Sequence, residues 1–222
     1  CSYANLNYNN PSWSFPDVGN KNSVDAEALG HPLIHESERI CNDINIPLNG
    51  HIKLVTGSNM AGKSTFLRTV GLNIILALSG APVCAKRLSL PHMFVYTSMR
   101  TQDALHESTS SFYAELKRLK FIIEAVEEQA GLAEDSKEKQ HVFFLLDEIL
   151  KGTNSVDRHT GSKALIRQLI ESKGSGIIAT HDLELGKLEE SYGGHVENLC
   201  IEVEIKDGKL YFDYKLKKGV SE

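Results

Sequence analysis

The sequence has only four cysteines, Cys1, Cys41, Cys84 and Cys200, and no Cys-x-x-Cys pair among them. That spacing excludes a disulfide-framed secreted domain and a cysteine-built zinc site, and predicts reduced, buried thiols in a cytoplasmic protein. An excess of positive charge is missing too. The 24 Lys and Arg stand against 29 Asp and Glu, for a formal net charge of −5. This excludes a uniformly basic surface that coats nucleic acid, while leaving room for a local basic face. No apolar run is long enough to span a bilayer: the best candidate, residues 66–83, is broken by Arg68 and Asn73 and predicts a buried helix. There is no secretory leader pattern, and no internal repeat. The first residue is Cys1 rather than Met, so the expectation is a piece cut from something longer. What is present, 41% hydrophobic and 24% charged residues over 222 positions, suits one large globular domain.

Residues 1–29 are expected to form an extended lead-in segment, since residues 1–22 are rich in Asn, Ser, Pro and aromatics without helical or strand period. Residues 30–219 form the expected domain, and residues 220–222 a truncated tail. The run HPLIHESERICNDINIPLNGHIKLVTG predicts two or three short strands, the last buried through Ile52, Leu54 and Val55. Helices are predicted over residues 63–79, stopped by Gly80 and Pro82, and over 111–129, where Phe112, Leu116, Leu119, Ile123 and Val126 recur at helical spacing. AEDSKEKQ predicts an exposed loop. Apolar strands are predicted over 142–146 and 176–180, with a helix over 158–172 between them and a short helix after His181. IEVEIKDGKLYFDYKL alternates on both sides of Asp207-Gly208, a hairpin pattern. The implied fold is α/β, a mostly parallel sheet flanked by helices with a closing antiparallel hairpin.

Three segments carry chemistry. LVTGSNMAGKST holds Gly-x-x-x-x-Gly-Lys-Ser between a predicted strand and a predicted helix. Glycines let backbone N–H groups turn toward phosphates, and the helix adds its positive end. Lys63 would reach the β- and γ-phosphates of ATP, and the Ser64 hydroxyl would ligate Mg²⁺. In FFLLDE, Asp147 closes a buried strand where P-loop NTPases place a magnesium-side carboxylate, and Glu148 is positioned to take a proton from water. The adjacent acid pair favours hydrolysis over phosphate transfer to a second substrate. In IIATHD, His181 follows a third strand and would face the γ-phosphate or the lytic water. FYAE (residues 112–115), by contrast, belongs to a packed helix face. Lys117, Arg118 and Lys120 are the solvated side of that helix.

TGSNMAGKST, SMRTQDALHESTSSFYAEL, LLDEILKGTNSVDR and ATHDLEL, in this order, resemble the ATPase domain of the MutS family of mismatch-repair proteins. The resemblance runs from GHPLI at Gly30 to YKLKKG at Gly219. It implies a P-loop NTPase fold of ABC-ATPase type and a homodimer sharing two composite ATP sites. It also implies contact with double-stranded, mismatched DNA through missing domains, a downstream repair partner, and no membrane contact by this fragment. By the same resemblance Gly57, Ser58, Asn59, Met60, Ala61, Gly62, Lys63, Ser64 and Thr65 hold phosphates, and Ser64 and Asp147 hold magnesium. Glu148, His181 and Lys63 would be catalytic. Asn42 falls in the adenine-side loop, Ser110 would face the partner's γ-phosphate, and Asp157 the dimer boundary.

The chain departs from the family pattern in several places. CNDI lacks the usual preceding Pro, Ser58 and Ala61 replace Pro and Gly, and Glu107-Ser108 stand where Ser-Gly is usual. Leu150-Lys151 replace Gly-Arg, and Arg158 replaces a Gly. These differences imply a divergent branch. The residues before Gly30 are too few to hold the family's Phe-x-Glu wedge and its clamp and lever helices. Two further readings therefore stay open: an ATPase engine attached to other upstream domains, even membrane segments, and a nucleotide-responsive binding module.

Overall fold

The computed structural model describes residues 2–58, 60–99, 108–133, 136, 139–206 and 209–221. Its centre is a six-stranded sheet. The strands are β4 (Ile52–Thr56), β6 (Met93–Ser98), β7 (His141–Asp147), β8 (Ser175–Thr180), β9 (Val196–Lys206) and β10 (Lys209–Lys218), in the order β10-β9-β4-β8-β7-β6. All neighbours run parallel except β10, which folds back antiparallel on β9. This is the mostly parallel sheet with a closing hairpin that the alternation predicts; the Asp207-Gly208 turn itself lies outside the described residues.

Period-two geometry sorts the strand residues onto two buried faces. Val55, Phe143, Leu145, Ile177 and Ala179 face one core, packed by Leu67, Val70 and Ile74 of helix α2 (Lys63–Leu78). Leu54, Phe144, Leu146 and Ile178 face the other. That core is filled by Leu119, Ile122 and Val126 of α3 (Ser108–Gly131) and by Leu165, Ile166 and Leu169 of α4 (Ser155–Glu171). Each fully buried aliphatic side chain contributes about 1.5–3 kcal/mol, so the two faces hold the strand ends in fixed register.

A second sheet lies over the α2 face. It contains β1 (Asp17–Val18), β2 (Ser23–Leu29), β3 (Asn42–Pro47) and β5 (Arg87–Leu90), in the order β1-β5-β2-β3. Of the run from His31 to Gly57, two strands form, β3 and β4, and residues 31–41 carry none. The lead-in segment is not extended throughout. Ser2–Asn9 forms helix α1, which ends where the Asn10 amide donates to the Leu6 carbonyl at 2.9 Å and Pro11 prevents continuation. Trp13 then anchors the segment in the core with the Arg39 guanidinium over its ring.

Asn73, the polar break in the apolar α2 sequence, is fully buried and cross-braces the two layers. It donates to Gly30 O at 2.9 Å and Thr69 O at 2.8 Å, and accepts from Cys84 N at 2.7 Å. After β8 come a 3₁₀ turn (Leu183–Lys187) and the short helix α5 (Leu188–Ser191). Among the described residues, no helix is long and apolar enough to cross a membrane.

Candidate functional site

The C-terminal ends of β4, β7 and β8 open on one rim, where crossover loops of a parallel sheet leave room for a ligand. After β4 the chain turns at Gly57 (φ 146°) and enters α2 through Gly62 (φ 100°), both conformations that favour glycine. A Cβ at Gly57 would sit 2.5 Å from Ile201 O, so no side chain fits there. Gly62 is the N-cap of α2 and supplies no side-chain acceptor. The first N–H groups of α2, at Lys63, Ser64 and Thr65, are therefore free to bind an anion at the positive end of the helix. Ala61 is buried against Gly57, whereas Ser58 and Met60 are exposed. Asn59 lies outside the described residues.

Lys63 is 3% exposed, and its Nζ donates to Gly57 O at 2.6 Å and Ser58 O at 2.8 Å. Burial lowers its pKa, and the Asp147 carboxylate opposes that shift. Its two direct acceptors are neutral carbonyls, with the Glu148 carboxylate 3.8 Å away, so a phosphate oxygen in direct contact would satisfy the buried cation better.

Asp147 ends β7, and its Oδ1 is buried without a hydrogen-bond partner. An orphaned, buried carboxylate oxygen close enough to act on the Lys63 ammonium has the hard-donor chemistry that a divalent cation takes. Glu148 follows with φ 52° and Leu150 with φ 59°, left-handed conformations costing roughly 1–3 kcal/mol each in non-glycine residues. Glu148 N donates to Ala179 O at 2.8 Å, and Leu150 N to Glu115 Oε1 at 2.6 Å. The Glu148 side chain is only 8% exposed, with Oε1 3.8 Å from Lys63 Nζ and 3.6 Å from His181 Nδ1. Lys151 forms an ion pair with its other oxygen.

His181 sits just past β8 on a pinned turn. Asp182 N donates to Thr180 Oγ1 at 3.0 Å, and the Asp182 carboxylate accepts from Glu184 N at 3.1 Å and pairs with His159 at 2.9 Å. Burial pushes the His181 pKa below 6.5, and Arg158, Lys151 and Lys63 push it further the same way. The imidazole is therefore neutral at pH 7 and can both accept and donate near Glu148.

The structure thus brings Gly57, Gly62, Lys63, Asp147, Glu148 and His181 to one rim. The Asn42 amide donates to Tyr214 O at 3.1 Å and accepts from Leu216 N at 2.9 Å, fastening β3 to β10. That brace carries a residue the sequence reading missed. The Tyr214 ring, at φ 53°, lies 2.8 Å from where a Gly62 Cβ would be, so it borders the anion cradle. Its only sequence signal was one more aromatic in an alternating strand. Asp157 lies in the exposed first turn of α4, where its N–H donates to the Asn154 cap at 2.9 Å and its carboxylate accepts from the same amide at 2.6 Å. Of Ser110 only the backbone, in the first turn of α3, is described.

The family model for MutS domain V matches residues 53–222. DNA mismatch repair protein MutS of Ehrlichia ruminantium (strain Welgevonden) is 32% identical over 95% of this chain and 25% of its own length. MutS of Aquifex pyrophilus is 32% identical over 93% of this chain and 23% of its own. Endonuclease MutS2 of Fusobacterium nucleatum is 30% identical over 92% of this chain and 25% of its own. The chain spans about a quarter of the length of these relatives. The chain belongs to the MutS domain V family, whose fold is that of a P-loop ATPase.

Proposed function

We propose that this chain binds ATP with Mg²⁺ and hydrolyses it to ADP and phosphate, as the engine of a longer MutS-like protein. The observation that carries this reading is the convergence on one rim of an uncapped helix N-terminus, a buried lysine and the unpartnered Asp147 Oδ1, with Glu148 between Lys63 and His181. The backbone of residues 57–65 receives the phosphates, and Lys63 leaves its carbonyl partners for the β- and γ-phosphate oxygens. Ser64 and Asp147 would hold Mg²⁺, which supplies neutralisation of charge on the phosphate oxygens. Glu148 orients a water in line with the γ-phosphorus and takes its proton as the new P–O bond forms and the bond from the γ-phosphorus to the β–γ bridging oxygen breaks, releasing ADP. Neutral His181 donates toward the departing phosphate. Tyr214 borders the phosphate cradle at Gly62.

By membership of the family, two copies of this domain would close over ATP, with Ser110 and Asp157 at the contact. The longer protein would grip mismatched duplex DNA through segments outside these residues. A second reading keeps the ATPase and drops mismatch repair. It is favoured by the likeness to Endonuclease MutS2 and by Leu150-Lys151, which put an ammonium beside Glu148. Phosphate release measured with Mg·ATP tests both. Turnover that falls about 10²–10⁴-fold in Glu148→Gln, with ATP binding kept, is the expected result. Equal rates in the two proteins would overturn the assignment of Glu148. Stimulation of the full-length protein by a single-mismatch duplex over matched duplex selects the repair reading, and indifference to both duplexes the second.

A further inference from the structure

We infer that Glu115, on α3, is a positioning residue for Glu148. The inference rests on the hydrolytic reading above. The loop that presents Glu148 contains two non-glycine residues at positive φ, Glu148 at 52° and Leu150 at 59°. Such a conformation does not persist unless surrounding contacts impose it. One backbone bond, from Glu148 N to Ala179 O, ties the loop to β8. The other comes from outside the β7–α4 connection: the Glu115 carboxylate accepts the Leu150 N–H at 2.6 Å. It is a charge-assisted bond, stronger than its neutral counterpart, and it ends on the residue carrying the second strained φ.

Two apolar contacts show the loop seated between helices. A Cβ at Gly152 would lie 2.6 Å from the Phe112 ring, so α3 presses directly on the loop backbone one helical turn from Glu115. On the other side, a Cβ at Gly161 of α4 would lie 2.7 Å from Leu150 Cδ1. Ile149 and Leu150 are buried, so releasing the Leu150 N–H would leave a donor with poor access to water. If the Glu115 bond is lost, the loop relaxes from its left-handed conformation and carries the Glu148 carboxylate away from the Lys63–His181 gap. The contact the structure gives the Glu115 carboxylate is the Leu150 N–H. Glu115 acts through Leu150, and its loss should appear in turnover rather than in ATP affinity.

The test compares Glu115→Gln, Glu115→Asp and Glu115→Ala with the wild-type protein. Gln keeps the length and an acceptor oxygen, and is expected to hold kcat within about threefold. Asp keeps the charge but is one methylene too short, and Ala removes the acceptor. Both are expected to lower kcat about 10- to 100-fold, the scale of a small misplacement of a reacting group, with ATP affinity within about threefold. Hydrogen exchange at the Leu150 amide should accelerate in Asp and Ala and stay slow in Gln. Wild-type turnover in Glu115→Asp, or unchanged Leu150 exchange in that variant, would overturn the inference. So would an equal loss in Gln, which cannot be blamed on misfolding if its melting temperature matches wild type. Absence of turnover in the wild-type protein would strike the hydrolytic reading instead, and the Leu150 exchange pattern would still decide whether Glu115 holds the loop.

Discussion

The two ends of the six-stranded sheet handle their polar groups in opposite ways. At the N-terminal end the backbone closes on itself. Gly50 N and His51 N both donate to the buried Ser175 Oγ, at 3.0 and 3.1 Å, and Ile52 N and Gly176 N find carbonyl partners at 2.8 and 3.1 Å. At the C-terminal end the same strands finish in a helix without a side-chain cap, an orphaned carboxylate oxygen, a buried lysine held by two carbonyls and two strained residues. Packing beneath is equally complete at both ends, because Leu54, Phe143, Phe144, Ile177 and Ile178 are fully buried. One end is built for stability. The other holds polar capacity open for a ligand, and the well-packed strands fix it in place.

This contrast can be broken deliberately. The largest effect is expected from Lys63→Met, which keeps the stem and removes the charge. ATP affinity should fall about 100-fold or more, since truncating one partner of a buried charged contact costs about 2–5 kcal/mol. Equilibrium titration with a fluorescent nucleotide checks it, and the unfolding midpoint should not fall. Asn73→Ala should do the reverse. It strands Cys84 N and the Gly30 carbonyl in the core and should lower stability by about 2–4 kcal/mol in urea denaturation, against about 1–3 for each buried group left unpaired.

A smaller change sharpens the comparison at the closed end. Ser175→Ala removes the acceptor of His51 N, while Gly50 N keeps the Lys173 carbonyl at 3.1 Å, and should cost about 1–3 kcal/mol. Turnover per folded molecule should be unchanged, because Ser175 begins the strand whose far end leads to His181. The smallest effect concerns pH. His31, His51 and His181 all have folded-state pKa values lowered from 6.5, chiefly by burial. The unfolded chain therefore binds more protons below that pH, so stability is full above about 6.5 and declines as pH falls beneath it. Thermal unfolding between pH 7.5 and 5.5 would show it as a progressive fall in Tm.

The open end was the more legible of the two in the sequence. Gly57, Gly62, Lys63, Asp147, Glu148 and His181 announce themselves because each occupies a fixed offset from an apolar strand, and local spacing survives in one dimension. The end of α2 followed for the same reason, at the Ser79-Gly80 signal, whereas α3 and α4 each begin three residues before the predicted start. What stayed hidden depends on contacts across long separations. The second sheet pairs β2 with both β3 and β5, and no local pattern requires that. The bonds from Asn42 to Tyr214 and Leu216 span more than 170 residues of chain, so the resemblance could name Asn42 but the sequence could not show what it braces. Glu115 read only as the end of FYAE on a packed helix face, and nothing local pointed to the Leu150 N–H 35 residues away that it accepts. Helix α1 carries no amphipathic period, so its residues were read as part of an extended lead-in.

The central claim is that the open polar capacity of the rim complements Mg·ATP. The most direct measurement is equilibrium binding of ATP to the Glu148→Gln protein, in which turnover cannot complicate the titration, with Mg²⁺ and with chelator. Saturable binding that Mg²⁺ strengthens, and that Asp147→Asn makes insensitive to Mg²⁺, is the predicted result. No saturable binding up to millimolar ATP, or the same Mg²⁺ dependence in Asp147→Asn, would contradict it.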